Sequence, residues 1–224
     1  KERVPLFYAA AEYETTGWKV ISFSSGLKLP KRQKKCPDSM ASQIFSYFCN
    51  MDNELIFRQA QSCETDRIMQ IIRQAQARMH AAGSRQWQDG YPAPGHISAD
   101  IGRNRGYVLC KPGVEGPLSV IAYGAVVFDG EPAYDAIDGQ WLTDEPYVLV
   151  HRIAVVDGER GRGVAAEFLH RVETLAQERG VKAFRIDTNF DNQTMLRLLE
   201  RTGFTYCGKV VYRSGERLAY EKRI

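Results

Sequence analysis

An apolar run ending near Val156 gives way to a basic, glycine-rich turn, Arg160-Gly161-Arg162-Gly163, followed at once by Val164, Ala165 and Ala166. Glycines let the chain turn tightly and bring its backbone close to a ligand. The first amides of a helix have no internal partner, point outward as donors, and attract an anion with the help of the helix dipole. Arg160 and Arg162 add positive charge. A phosphate is the natural occupant of such a turn, although a basic turn that binds nothing is built from the same residues. Gly161-x-Gly163-x-x-Ala166 also matches a dinucleotide fingerprint literally, with Asp187 at the end of the next strand as a ribose-binding acid. Two features oppose that match. Four residues, 157–160, separate the turn from the strand, and only one helix and two strands remain afterwards, too few for a doubly wound sheet.

Other residues could move protons or pack a substrate. His151 lies on the apolar strand, four residues before Val155, and strict alternation would turn both to the same side. An imidazole titrates near neutral pH, so His151 is either a general base or a histidine bonded inside the sheet. Trp87 and Tyr91 sit in a turn-rich stretch and either line an apolar substrate or plug the core. The connection 129–146 holds Asp129, Glu131, Asp135, Asp138, Asp144 and Glu145, which either draw in a cation or are simply solvated.

These groups must be positioned by an alternation of strands and helices. Leu55–Arg58 reads as a strand. Ser62 or Thr65 can cap a helix with the apolar face Ile68, Ile71, Ile72, Ala75 and Met79, ending at Gly83. Residues 84–105 read as turns. Strands over 107–110 and 119–127 form an antiparallel pair joined by a turn at 111–117. The strand over 147–156 is apolar enough to be central. The helix after Gly163 carries Val164, Ala165, Phe168, Leu169, Val172, Leu175 and Ala176 at helical spacing and stops at Gly180. A buried strand over 183–187 leads to a helix capped by Asp191 or Asn192 and stopped by Gly203. Two strands close the chain, near 204–211 and 217–221.

Arg160-x-x-Gly163-x-Ala165, placed just after an apolar strand, resembles motif A of the GNAT acetyltransferases. Asn192, followed by a helix ending in Gly203-Phe204, resembles motif B of the same family. The order of elements agrees, and the resemblance covers roughly residues 55–224. It implies an α/β (α+β) fold with a mixed, mostly antiparallel central sheet flanked by helices. It further implies N-acetyl transfer from acetyl-CoA to a primary amine on a small molecule or peptide, without a metal. The amides of Gly161, Arg162, Gly163, Val164, Ala165 and Ala166, beside Arg160, would hold the pyrophosphate. Ile153, Ala154 and Val155 would pair with pantetheine and offer an amide to the thioester oxygen, in a slot where two central strands splay apart. Asn192 would lie near pantetheine or the departing thiol, and Trp87 and Tyr91 would line the acceptor side. Many members carry a Tyr seven residues after the motif B Asn; here that position is Leu199, which leaves Tyr206 or Cys207 to protonate the thiolate, or Tyr206 as a strand residue only. A non-catalytic acyl-CoA-binding module is the alternative that this departure keeps open.

Composition fits an ordinary globular chain of 224 residues, 44% apolar and 25% charged, with a net charge of +3. Five well-separated cysteines and four histidines form no CxxC, HxH or HExxH pair, arguing against a disulfide scaffold or zinc site. No run is long enough to span a membrane, and no apolar leader opens the chain, so a reducing cytoplasmic setting is expected, as a monomer or homodimer. Residues 1–50 carry eight Lys/Arg against four acids, a break that marks them as an N-terminal extension and 51–224 as the domain, with Met51 a candidate start. Lys31-Arg32-Gln33-Lys34-Lys35 reads as a solvated linker or as a nucleic-acid or membrane-surface patch; no nucleic-acid partner is expected. A chain cut to 51–224 should fold and bind acetyl-CoA as the full chain does, checked by circular dichroism and calorimetry. An insoluble or CoA-blind truncation would show that residues 1–50 complete the domain.

Overall fold

The computed structural model describes residues 55–112 and 118–224, together with the backbone of a hairpin, 8–14 and 17–23. That hairpin, β1 (Tyr8–Glu14) against β2 (Gly17–Phe23), belongs to a unit spanning Lys1–Phe45, separate from Ser46–Ile224. The basic cluster 31–35, Met51 and most of the turn 111–117 lie outside the described residues.

The second unit is built on one sheet. Its strands are β3 (Ile56–Gln59), β4 (Gly106–Lys111), β5 (Ser119–Val127), β6 (Asp138–Gly139), β7 (Tyr147–Val155), β8 (Ala183–Thr188), β9 (Thr205–Tyr212) and β10 (Gly215–Arg223). They lie in the order β3-β4-β5-β7-β8-β10-β9-β6. Every pair is antiparallel except β7–β8, which is parallel because a helix, α3 (Val164–Glu178), carries the chain back between them. The sheet is therefore mixed and mostly antiparallel, and not doubly wound.

Helices cover both faces. On one face α3 buries Phe168, Leu169, Val172 and Ala176 against Val148, Val150, Phe184 and Ile186, and α4 (Gln193–Arg201) adds Met195 and Leu199. On the other, α1 (Thr65–Ala81) and α2 (Pro94–Gly102) bury Ile68, Ile71, Ile72 and Ile97 against Val108, Tyr123 and Ala154. Farther along that second face, Tyr134, Ile137 and Trp141 of the 129–146 connection pack on Val127, Leu149, Val210 and Ala219.

Two expectations are corrected. Neither Ser62 nor Thr65 caps α1. A 3-10 turn, Ser62–Glu64, precedes the helix, whose N-cap is Glu64 without a side-chain cap bond; the Glu64 carboxylate instead closes the start of that turn by accepting from the Gln61 amide at 2.8 Å while Arg58 grips it at 2.7 and 2.8 Å. The stretch 84–105 is not all turn: it contains α2. Pro94 opens that helix, at a position where its missing N–H costs nothing. With only Ile97 and Ile101 as a stripe, it is too short to show a period.

Strand β6 anchors the 129–146 connection to the sheet. Gly139 and Gly208 face each other across the β6–β9 pair, both at φ 142°, so closely that a Cβ on Gly208 would run into the Asp138 carbonyl oxygen. Gly208→Ala should therefore destabilise the chain by about 1–3 kcal/mol, since backbone cannot yield as a side chain does. Urea unfolding measures it; an unshifted midpoint would mean that β6 is free to detach at no cost.

Candidate active site

The site begins where the sheet fails to close. β7 pairs with β8 only through Tyr147↔Ala183, Val148↔Phe184 and Leu149↔Arg185. Beyond Leu149 the two strands part, as the resemblance implied, leaving one edge of β7 unbonded by β8. The Val156 amide donates to Ile121 of β5 at 2.8 Å, so alternation turns the Val155 N–H toward the gap.

A bulge sits in the unbonded part of β7. Tyr123 of β5 faces Ala154 and Ala125 faces His151, so Gly124 alone spans both Arg152 and Ile153. Arg152 takes φ 58°, the left-handed region rare for a side-chain-bearing residue. The extra residue reverses the alternation. Ile153 and Val155 face α3, with Val150, whereas His151 shares the opposite face with Tyr123 and Ala154. His151 and Val155 are thus on opposite faces, not the same one, because strict alternation holds only without a bulge.

On that second face His151 is held between two carboxylates. Its Nε2 is 3.1 Å from Glu131 Oε2, and its Nδ1 is 4.0 Å from Asp187 Oδ1. Asp187 Oδ1 also accepts from the Tyr134 hydroxyl at 2.8 Å and the Tyr212 hydroxyl at 3.0 Å. The His151 bond holds the Glu131 carboxyl below the usual carboxylate range, against the opposing pull of burial. Burial, then the Asp187 charge, pushes the Tyr134 and Tyr212 hydroxyls well above theirs, so both remain protonated donors. A neutral imidazole whose Nε2–H is given to a carboxylate has its lone pair on Nδ1, the arrangement of a general base.

Two buried ion pairs fix the walls. Arg152 donates to Asp100 of α2 at 2.8 and 2.5 Å and to the Tyr91 hydroxyl at 2.5 Å, and Tyr123 donates to Asp100 at 2.7 Å. Burial depresses the Arg152 pKa, but the Asp100 and Tyr91 contacts more than restore it. On the far side Arg185 lies between the Trp141 and Tyr147 rings, 4.3 and 4.1 Å from their centroids, and donates to Thr143 O at 2.7 Å. The fully buried Glu221 carboxylate accepts from Arg185 at 3.4 Å and from the Thr143 hydroxyl at 2.7 Å. The second pair pins the connection that carries Glu131 and Tyr134.

The glycine turn opens on the gap's other side. Gly161 and Gly163 take φ 74° and 83°, and a Cβ on either would meet nothing within 4 Å. Gly163 caps α3 without any side chain, and the first intrahelical bond runs from the Glu167 amide at 2.9 Å. The amides of Val164, Ala165 and Ala166 are therefore available to an anion. A groove of about 710 Å³ passes Arg162, Gly163, Val164 and Ala166. Where β8 runs into α4, the side-chain oxygens of Thr188, Asn189 and Asp191 are buried without a hydrogen-bond partner. Buried orphan oxygens suit a ligand carrying N–H groups, so phosphates at the turn and amides along the gap both fit the acetyl-CoA implied by the resemblance. Sequence reasoning missed these three oxygens; their only signal is a polar run directly after a buried strand.

The remaining candidates are scattered. Asn192 caps α4, accepting from the Met195 amide at 3.1 Å, and donates to Gln86 at 3.0 Å, which ties the 84–93 loop to α4. Tyr91 joins the Arg152 wall, while Trp87, at φ 65°, packs on the core of α1 and α2. Leu199 is fully buried. Tyr206 lies two strands from β8, pairs with Tyr220 on the α3 side and is 52% exposed, so the structure does not bring it to His151; Cys207 is buried. Glu131 and Asp187 are the partners of His151 that the sequence did not announce. Among the described residues, no group of three His, Cys, Asp or Glu is arranged to hold a metal, and no helix is long and apolar enough to cross a membrane.

A family model described as the acetyltransferase (GNAT) family matches residues 70–204. No curated protein matches the chain. Among solved structures, a GNAT-family acetyltransferase from Streptococcus agalactiae is 38% identical, with a TM-score of 0.68 over 76% of this chain and 95% of that one. Another, from Listeria monocytogenes, is 20% identical with a TM-score of 0.59 over 76% and 95%, and shares the fold. The NatC complex bound to Gag peptide and CoA also shares it, at 14% identity and a TM-score of 0.50 over 76% and 99%. The parted strands, the glycine turn before α3 and these matches agree: the chain belongs to the GNAT acetyltransferase family and is an N-acetyltransferase.

Proposed function

We propose that residues 51–224 transfer an acetyl group from acetyl-CoA directly to a primary amine, with His151 as general base. The observation that carries this reading is the imidazole held by Glu131 at 3.1 Å beside the parted strands, its other nitrogen turned toward Asp187. Acetyl-CoA supplies a thioester carbon open to attack and a thiolate leaving group. The chain's own residues do the rest. Amides from 161–166 bind phosphate, and Arg160 and Arg162 add positive charge. The Ile153–Val155 edge would align the pantetheine arm, and the Val155 N–H, turned toward the gap, would donate to the thioester oxygen as it gathers charge, a contribution of roughly 3–4 kcal/mol in comparable sites. His151 Nδ1 takes the amine proton, directly or through one water. Holding both reactants in one gap turns a bimolecular encounter into a local one. That a structural neighbour was solved with CoA and a peptide supports a donor and an amine acceptor sharing this gap.

His151→Ala should lower kcat at neutral pH by about 10²–10⁴-fold, measured as thiol release from acetyl-CoA across an amine panel. Acetyl-CoA affinity should barely move, because backbone groups hold it. The loss should shrink as pH rises, since more amine then arrives neutral. A rate within about threefold of wild type would place the base elsewhere. CoA binding without thiol release from any amine would leave a binding module.

A further inference from the structure

We propose that Asp187 is the acceptor-recognition residue, its second carboxylate oxygen receiving an alkylammonium, so that the acceptors are cationic alkyl amines rather than neutral aryl amines or amines bearing a carboxylate. The inference rests on the acetyl-transfer reading of the same site. Asp187 stands on β8 just past the last residue paired with β7, on the His151 face. Tyr134 and Tyr212 both donate to Oδ1, at 2.8 and 3.0 Å, which fixes the carboxylate's orientation. None of the described residues bonds Oδ2, in a side chain that keeps 11% of its surface exposed. A carboxylate with one oxygen clamped and the other open is a preformed acceptor for a cationic donor.

The surrounding charge has the same sign. Glu131 is a second carboxylate in the cluster, and the nearby cations are already used: Arg152 is tied to Asp100, and Arg185 to Glu221. The 129–146 connection that carries Glu131 also borders a cleft of about 500 Å³, where Asp135, Asp144 and Glu145 outnumber the already paired Arg185. An ammonium held by this carboxylate is on the same face of the sheet as His151, whose Nδ1 is 4.0 Å from Oδ1. One N–H bond then breaks, the proton passes to Nδ1, and the freed electron pair stays on the amine nitrogen.

Titration calorimetry of the full chain with butylamine tests this. Asp187→Asn keeps the shape and an oxygen for the two tyrosines but removes the charge, so the butylammonium Kd should rise at least about tenfold, or 1.4 kcal/mol. Wild type should bind butylammonium more tightly than aniline or 4-aminobutyrate. Unchanged affinity in Asp187→Asn, no measurable butylammonium binding, or a preference for aniline or 4-aminobutyrate would each overturn the assignment. If Asp187→Asn fails to fold, Tyr212→Phe decides: loosening the clamp should cost about threefold in Kd, and no change would refute the proposal. Thiol release measured in parallel separates the two readings. Asp187-dependent binding without turnover would uphold recognition and refute acetyl transfer, whereas turnover with Asp187-independent binding would do the reverse.

Discussion

A strand inside a sheet ordinarily spends the hydrogen-bonding groups of both edges on its neighbours. β7 does so only as far as Leu149, after which β8 leaves it. Every other feature of the site depends on that parting. It frees a row of backbone groups in the middle of the molecule, beside the start of α3, and joins the two faces of the sheet. The polar backbone left there needs a partner, as do the buried oxygens of Thr188, Asn189 and Asp191. A long ligand with amides at its centre and phosphates at one end answers both needs.

The bulge at Arg152–Ile153 divides the labour between the faces. Ile153 and Val155 turn to the α3 side, with the anion-binding turn, and His151 turns to the side of α1, α2 and the acidic connection. Donor and base are thereby placed on opposite sides of one strand. The walls around His151 come from segments distant in sequence, and such walls drift unless tied. The Arg152–Asp100 and Arg185–Glu221 pairs tie them, each with further hydrogen bonds to neutral groups. Removing one partner of such a pair would strand a buried charge, so each wall is fixed in one position.

What the sequence made legible was local. The α3 stripe, its glycine stops and the succession of strands along the chain, apart from β6, follow from short-range periodicity and capping and appear in the structure; the order of those strands in the sheet does not. A cap at Asp191 or Asn192 was legible for the same reason, and Asn192 fills it. α2 was not, because its stripe is only Ile97 and Ile101. The bulge was invisible: Arg152 carries no mark of a left-handed φ, and so His151 was assigned the wrong face. The partnership of His151 with Glu131 and Asp187 spans 20 and 36 residues and depends on that bulge, so no spacing rule reveals it. Tyr206 stood near Gly203 in sequence, but β10 lies between its strand and β8.

The most direct test of the account is a crystal structure of the chain with CoA bound. The account places the pyrophosphate on the amides of 161–166 and the sulfur in the gap between β7 and β8, within reach of the His151 face. Phosphates bound away from the glycine turn, or a sulfur on the far side of a gap closed by β8, would contradict it.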